Sequence, residues 1–318
     1  MNGAANGAAN GAANGAANGA MSSAPTITPA SVDAMVDVVR EALATTRPLR
    51  IAGAGRWAEA GHPVRAATTV QCTALRGISH YTPGDLTLSC GAGTTLAELD
   101  EATRANGQWC PLLPWGDDAG TVGATIATAT AGPFAERLGR PRQLVLGLEA
   151  VDGRAQHIAP GGRVVKNVAG FDLTRLLTGS WGTLAILTTL HLRLRARPIV
   201  DESWWMNDGD AARLQAFARG PHLPLAVHRT AGGLKGLEGD GWLVRLGGNR
   251  AAVESAREAL RGCGTIEPVA TEVWDRVRLL DAPPSRALAW VWTPLAHRVR
   301  AQFDPSGILN PGLLGDPA

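Results

Sequence analysis

Between Gly120 and Gly132 the chain reads Gly-Thr-Val-Gly-Ala-Thr-Ile-Ala-Thr-Ala-Thr-Ala-Gly, a run with almost no bulky side chain. Small residues over such a length let a flat or extended ligand lie against main chain, and glycine adds access to φ > 0. Two shorter runs, Gly53-Ala-Gly55 and Gly91-Ala-Gly93, follow strand-like segments at Pro48–Ile51 and Leu86–Ser89. Successive bare amides of this kind form concave nests that hold phosphate oxygens. One such loop is an ordinary tight turn, but three in one domain point to a phosphate-bearing ligand. The nicotinamide fingerprint is not met. Ala58 stands where Gly53-x-Gly55 needs its third glycine, and no acidic residue ends a second strand at the required distance.

Residues 2–20 repeat Asn-Gly-Ala-Ala, and a glycine in every turn with no apolar face to compensate predicts a disordered leader over residues 1–27. It lacks the basic start and apolar core of a secretion signal. The rest of the 318 residues is long enough for two domains with their own cores. Hydrophobic residues make up 45% and charged residues 18%, and no run approaches the ~18 apolar residues that cross a bilayer. A net charge of +2 gives no argument for nucleic acid. Cys72, Cys90, Cys110 and Cys263 stand too far apart for metal or redox-pair spacing and read as small buried apolar groups. These features predict a cytoplasmic protein, peripheral to the inner membrane only through partners.

Val32, Met35, Val36, Val39 and Leu43 predict a helix opened by Thr28-Pro29. Thr95-x-x-Glu98 is a capping-box start for another, ending near Asn106-Gly107. Asp152-Gly153 between Leu144–Val151 and Ala155–Ile158 marks a hairpin. A short helix over Asp172–Thr178 and a strand over Ala185–Arg195 follow, the latter carrying an arginine stripe read as a solvated face. Beyond Arg197-Pro198, residues 199–293 hold a strand at Trp242–Leu246, helices at Asn249–Arg261 and Thr271–Leu280, and a strand at Ala287–Trp292. A final helix runs from Thr293-Pro294 to Phe303. His222, His228 and Arg229 are read as surface loop, and His297 lies on the final helix.

Pro48–Arg56 and Gly120–Ala127 resemble the pyrophosphate loops of FAD-binding domains of the vanillyl-alcohol oxidase/p-cresol methylhydroxylase (PCMH) type. Lys166-Asn-Val-Ala-Gly-Phe-Asp-Leu-Thr-Arg-Leu-Leu-Thr-Gly-Ser-Trp-Gly-Thr-Leu-Ala-Ile-Leu-Thr188 closely resembles the FAD-binding E subunits of bacterial glycolate oxidases, and Phe303–Gly312 is similar to their closing motif. The resemblance implies an α+β fold: a two-subdomain PCMH-type domain over residues 28–198, a small, shortened α+β cap over 199–293, and a C-terminal helix and turns over 294–318 returning to the flavin domain. It places Gly53, Ala54, Gly55, Arg56 and Trp57 around the FAD pyrophosphate, with Gly120, Thr121, Gly123, Ala124, Ile126 and Ala127 opposite. It sets Gly182, Thr183 and Ile186 at the adenosine half and Asn310 beside the isoalloxazine. Lys166, Asn167 and Asp172 would brace the loop before the short helix, as structural bonds or as cofactor contacts. Some relatives attach FAD through a histidine; Arg56 occupies the matching place here and His62 lies further along, so binding is expected to be non-covalent. The resemblance further implies a small 2-hydroxy acid substrate such as glycolate, a larger flavin subunit and an iron–sulfur subunit as partners, and no nucleic acid. It names no catalytic side chain. The shortened cap keeps a second reading open, a scaffold subunit that does no chemistry.

Overall fold

A computed structural model describes residues 24–162, 172–231, 234, 236–280 and 292–315. Lys166, Asn167 and all but the last residue of the strand expected at Ala287–Trp292 lie outside them.

The first subdomain is a parallel sheet, ordered Thr26–Ile27, Thr68–Gln71, Leu49–Ala52, with helix Val32–Ala44 packed on it. The helix buries Met35, Val39 and Ala42, the face the apolar spacing predicts. Its cap is Ser31, whose Oγ accepts from Ala34 N–H at 3.1 Å, not Thr28. Thr26–Ile27, expected in a disordered leader, is a strand of this sheet, so the fold begins earlier than the composition suggests.

The second subdomain is an antiparallel sheet in the order Ile78–Thr82, Thr87–Gly91, Ala185–Arg193, Val145–Asp152, His157–Ile158. Helices Leu96–Arg104 and Val122–Thr128 insert Leu96, Leu99, Val122 and Ile126 among Leu88, Leu148, Leu190 and Leu192. The capping box forms as expected: Glu98 N–H donates to Thr95 Oγ1 and Thr95 N–H to Glu98 Oε2. These hydrogen bonds, the backbone one from Thr95 first, hold the Glu98 carboxyl below the usual range. Val151 and Ile186 of this sheet share a core with Met35, Val39, Ile308 and Leu309, which locks the subdomains together.

The cap is an antiparallel sheet in the order Ala226–Thr230, Gly241–Gly248, Val200–Met206, Glu267–Val269. Helices Ala211–Arg219 and Arg250–Arg261 cover one face, around Met206, Leu214, Val244 and Leu260. The other face, with helix Val273–Leu280, packs Trp205, Leu243 and Trp274 on Trp109, Phe134 and Leu138 of the first unit. His228 and Arg229 lie in strand Ala226–Thr230, not in a loop. The alternation puts His228, between buried Ala226 and Thr230, on the face toward the first unit, its ring 6.2 Å from Trp115.

Helix Pro294–Phe303, capped by Thr293, leads into turns that run along the outer edge of the first sheet. Leu49 N–H donates to Ile308 O and Asn310 N–H to Leu49 O. The turn is held by buried Asp304, whose carboxylate accepts from Ile308 and Leu309 N–H at 3.0 and 2.9 Å.

Candidate cofactor cleft

Loop Gly53–Trp57 leaves the end of strand Leu49–Ala52 and runs against the first turn of helix Val122–Thr128. A Cβ on Gly53 would lie 2.5 Å from Thr121 Oγ1 and 3.2 Å from Ala124 Cβ, so the two segments touch and only glycine permits it. Gly55 has φ +76° and faces open space. Among the described residues, the main-chain N–H groups of Ala54, Gly55, Arg56 and Trp57 donate to no acceptor. Adjacent unpaired donors on a turn attract an anion.

The second segment is built differently. It was expected as open backbone, but residues 122–128 are helical. Val122 N–H donates to Thr94 O, Gly123 N–H to Ala92 O, and Ala124 N–H to Thr121 Oγ1. Its amides are therefore spent inside the protein, and it offers a smooth wall rather than donors. A Cβ on Gly123 would sit 2.7 Å from both Ala92 Cβ and Ala92 O, so that glycine answers to helix packing. A Cβ on Gly91 or Gly93 would likewise lie 2.3 Å from the carbonyl oxygen of Leu75 or Cys72, so these glycines answer to backbone packing and do not form a third ligand loop.

Between the two segments lies a cleft of about 370 Å³. Gly53, Ala54, Gly55, Arg56, Trp57, Gly120, Thr121, Gly123, Ala124, Ala127, Gly182 and Asn310 line it. Ile126, Thr183 and Ile186 do not. Ile126 is a core side chain whose carbonyl accepts from Gly179 N–H; Thr183 Oγ1 donates to Ser180 O; Ile186 pairs with Val151 in the sheet. The motif around each reaches the cleft, while its own side chain points into the fold. Asp172 caps helix Leu173–Leu177 through Arg175 N–H and pairs with the Arg175 guanidinium.

Asn310 holds the site together. Its Oδ1 accepts from Ile51 N–H at 2.8 Å and its Nδ2 donates to Trp181 O at 2.8 Å, joining the strand before Gly53 to the turn at Trp181–Gly182. Both ends of its amide are engaged, so its role here is to brace the wall. Trp57 and Trp181 meet edge to face with centroids 6.2 Å apart.

Sequence reasoning did not single out several lining residues. His62, set aside as too distant, lines the cleft because the C-terminal turns draw its loop in, its N–H donating to Leu313 O. Trp115 and Asp117 come from a loop with no motif; Asp117 pairs with Arg56 at 3.3 Å. The buried Arg278 of the cap donates to Pro114 O and pairs with Asp118, while Gly116 N–H donates to Arg278 O. The cap thereby sets one rim of the cleft. All four cysteines are buried, and desolvation pushes Cys72, which lines the cleft, and Cys90 up to about 12. No cluster able to hold a metal occurs among the described residues.

The open donor nest, the glycine-permitted contact and the aromatic walls suit a dinucleotide. Two α+β subdomains that clasp this cleft, with a cap beyond, define an FAD-binding protein of the PCMH type. A family model for an FAD binding domain matches residues 24–159. Glycolate oxidase subunit GlcE of Escherichia coli is 34% identical over 248 residues, 77% of this chain and 67% of the relative. The chain belongs to this glycolate oxidase E-subunit family of FAD-dependent oxidoreductases. D-lactate dehydrogenase of Archaeoglobus fulgidus is 45% identical over 105 residues, 33% of this chain and 24% of that protein. Among solved structures, p-cresol methylhydroxylase with bound substrate aligns at TM-score 0.62 and 14% identity over 87% of this chain and 63% of that one. An alkyldihydroxyacetonephosphate synthase aligns at 0.65 and 15% over 80% of this chain and 55% of that one. These distant likenesses show the fold.

Proposed function

We propose that this chain is the FAD-carrying subunit of a glycolate oxidase-like complex that oxidises a small 2-hydroxy acid, glycolate to glyoxylate. The observation that carries the reading is the row of unpaired N–H groups from Ala54 to Trp57. They would hold the FAD diphosphate non-covalently, with Arg56 adding charge and Gly120–Ala127 forming the opposite wall. In the assembled complex, flavin would supply the hydride acceptor for the substrate's α-carbon, and this chain's share is positioning FAD and excluding water. The four buried, dispersed cysteines offer no cluster ligands, so electrons would pass to an iron–sulfur subunit, beside a larger flavin subunit. Among the described residues no helix is long and apolar enough to cross a membrane. The complex would work in the cytoplasm, with any membrane attachment made by its partners.

One observation favours the alternative of a scaffold subunit: Arg56, the cation of the diphosphate loop, already pairs with Asp117. The full chain, purified alone, separates the readings by its visible spectrum before and after anaerobic glycolate or D-lactate. A flavin spectrum that substrate leaves unchanged is the result expected of a carrier subunit. Bleaching would mark a self-sufficient dehydrogenase, and a folded, colourless protein that rebinds no FAD would mark a scaffold.

A further inference from the structure

Where the flavin domain meets the cap, exposed arginines accumulate without ion-pair partners. Exposed Arg193, at the end of the central strand of the second sheet, and exposed Arg195, paired with Trp109 in a short ladder beyond it, lie to either side of buried Leu194. The Arg195 guanidinium reaches to 3.8 Å from where a Cβ on Gly139 would lie, which brings it beside exposed Arg140 and Arg142. Arg137, one turn earlier, donates to Leu223 O of the cap. None of these five makes an ion pair with a carboxylate among the described residues, although Glu136 adjoins Arg137 in the chain and Asp85 stands two residues before Thr87, the strand partner of Arg193. Several exposed arginines elsewhere are matched, as Arg40 is by Asp37 and Arg261 by Glu258.

The same region carries exposed apolar groups. Ile199 is 82% exposed and Leu223 45%. Pro198 and Leu225, next to them in the chain, both pack on Gly247, so the two lie in one neighbourhood at the junction of flavin domain and cap. An apolar centre edged by arginine has the anatomy of a protein–protein interface. A net charge of only +2 means the rest of the surface balances itself, so the positive field is local and suits one matched face better than an extended polyanion. Two aliphatic side chains are too few to anchor the chain in a lipid interface, where aromatic and leucine-rich faces are needed.

We infer that Arg137, Arg140, Arg142, Arg193 and Arg195, around Ile199, form the docking surface for an acidic face of a different protein subunit. The inference rests on the reading of the chain as part of a complex and adds where that complex is joined. Matched charges across such a face would steer assembly and lose strength as salt rises.

The test co-expresses the full chain with the larger flavin subunit and the iron–sulfur subunit, and measures affinity of the purified partners across a salt series. Arg140→Glu/Arg142→Glu and Arg193→Glu/Arg195→Glu should each weaken assembly on the order of 100-fold and flatten its salt dependence. Arg40→Glu should leave assembly unchanged, and melting curves should coincide for all variants because every changed residue is exposed. Ile199→Asp, which leaves the arginines in place, should also weaken assembly. If the variants assemble like wild type, the docking surface is refuted while the subunit reading stands. If wild type joins neither partner, both fall together. Binding of the wild-type chain alone to vesicles of anionic phospholipid, lost in the same variants, would overturn the protein partner in favour of a membrane.

Discussion

Replacing Asn310 tests whether the cleft is braced in the way its hydrogen bonds indicate. Asn310 is buried, sits at φ +45° and bonds at 2.8 Å to both Ile51 N–H and Trp181 O. Alanine would leave a donor and an acceptor without partners, costing ~1–3 kcal/mol each. Alanine also lacks the short polar side chain that lets asparagine sit in the left-handed region, for a further ~1 kcal/mol. Asn310→Ala should therefore lose ~3–7 kcal/mol in urea unfolding, and Asn310→Gly about 1 kcal/mol less. Asn310→Asp keeps the acceptor for Ile51 but sets a carboxylate oxygen against the Trp181 carbonyl, and belongs near alanine. Because the two bonds join opposite walls, FAD affinity measured by fluorescence titration should fall on the order of tenfold as preorganisation is lost. If Asn310→Ala stays within ~0.5 kcal/mol of wild type, the scatter of ordinary surface changes, the bracing argument is wrong. Alanine proving more stable than glycine would show that the backbone there is not constrained as described.

Gly53→Val and Gly123→Val separate two uses of glycine. The first drives a side chain into Thr121 and should abolish FAD retention with a stability loss of ~1–3 kcal/mol; the second strikes Ala92 and should destabilise the apo and FAD-loaded protein alike. An FAD-specific effect of Gly123→Val would reverse that assignment. Arg278→Ala removes the buried guanidinium that anchors the cap to Pro114 and Asp118, at a cost of ~2–3 kcal/mol. Amide exchange at residues 114–118 should accelerate, and unchanged protection would uncouple cap from rim. Burial raises the Asp304 carboxyl above 3.8, so the folded protein binds that proton more tightly than the unfolded chain. The stability of wild type relative to Asp304→Asn should then fall as pH rises from 3.8 through the raised value, and urea melts showing a flat or rising difference would contradict it.

The parts of the fold legible in the sequence are those coded locally. The capping box at Thr95, the Asp152-Gly153 hairpin and helices Arg250–Arg261 and Pro294–Phe303 are where cap, turn and period placed them. What escaped depends on distant chain. Thr26–Ile27 carries no strand signal of its own and is ordered by pairing with Thr69 and Val70. In Val200–Met206, Asp201 and Glu202 hide the strand; Asp201 is held by a two-pronged pair with Arg245 of the neighbouring strand. At the site, small residues marked both walls of the cleft, but composition does not tell a glycine that faces open space from one packed against other chain. Gly55 and Gly123 look alike in the sequence, yet nothing stands within 4 Å of a Cβ on Gly55 while one on Gly123 meets Ala92. Asp117 and Trp115 were invisible because the cap helix, not their own segment, sets their place.

Asn310 reaches back 259 positions to Ile51, and the ladder beside Leu49 is completed by Ile308. During synthesis the loop after Ala52 therefore cannot take its final shape until the chain has been made through Asn310. A nascent chain stalled before that point would present glycine-rich backbone with no clasp, a poor trap for FAD and a good substrate for proteolysis. Flavin loading thus waits on synthesis of the segment around Asn310.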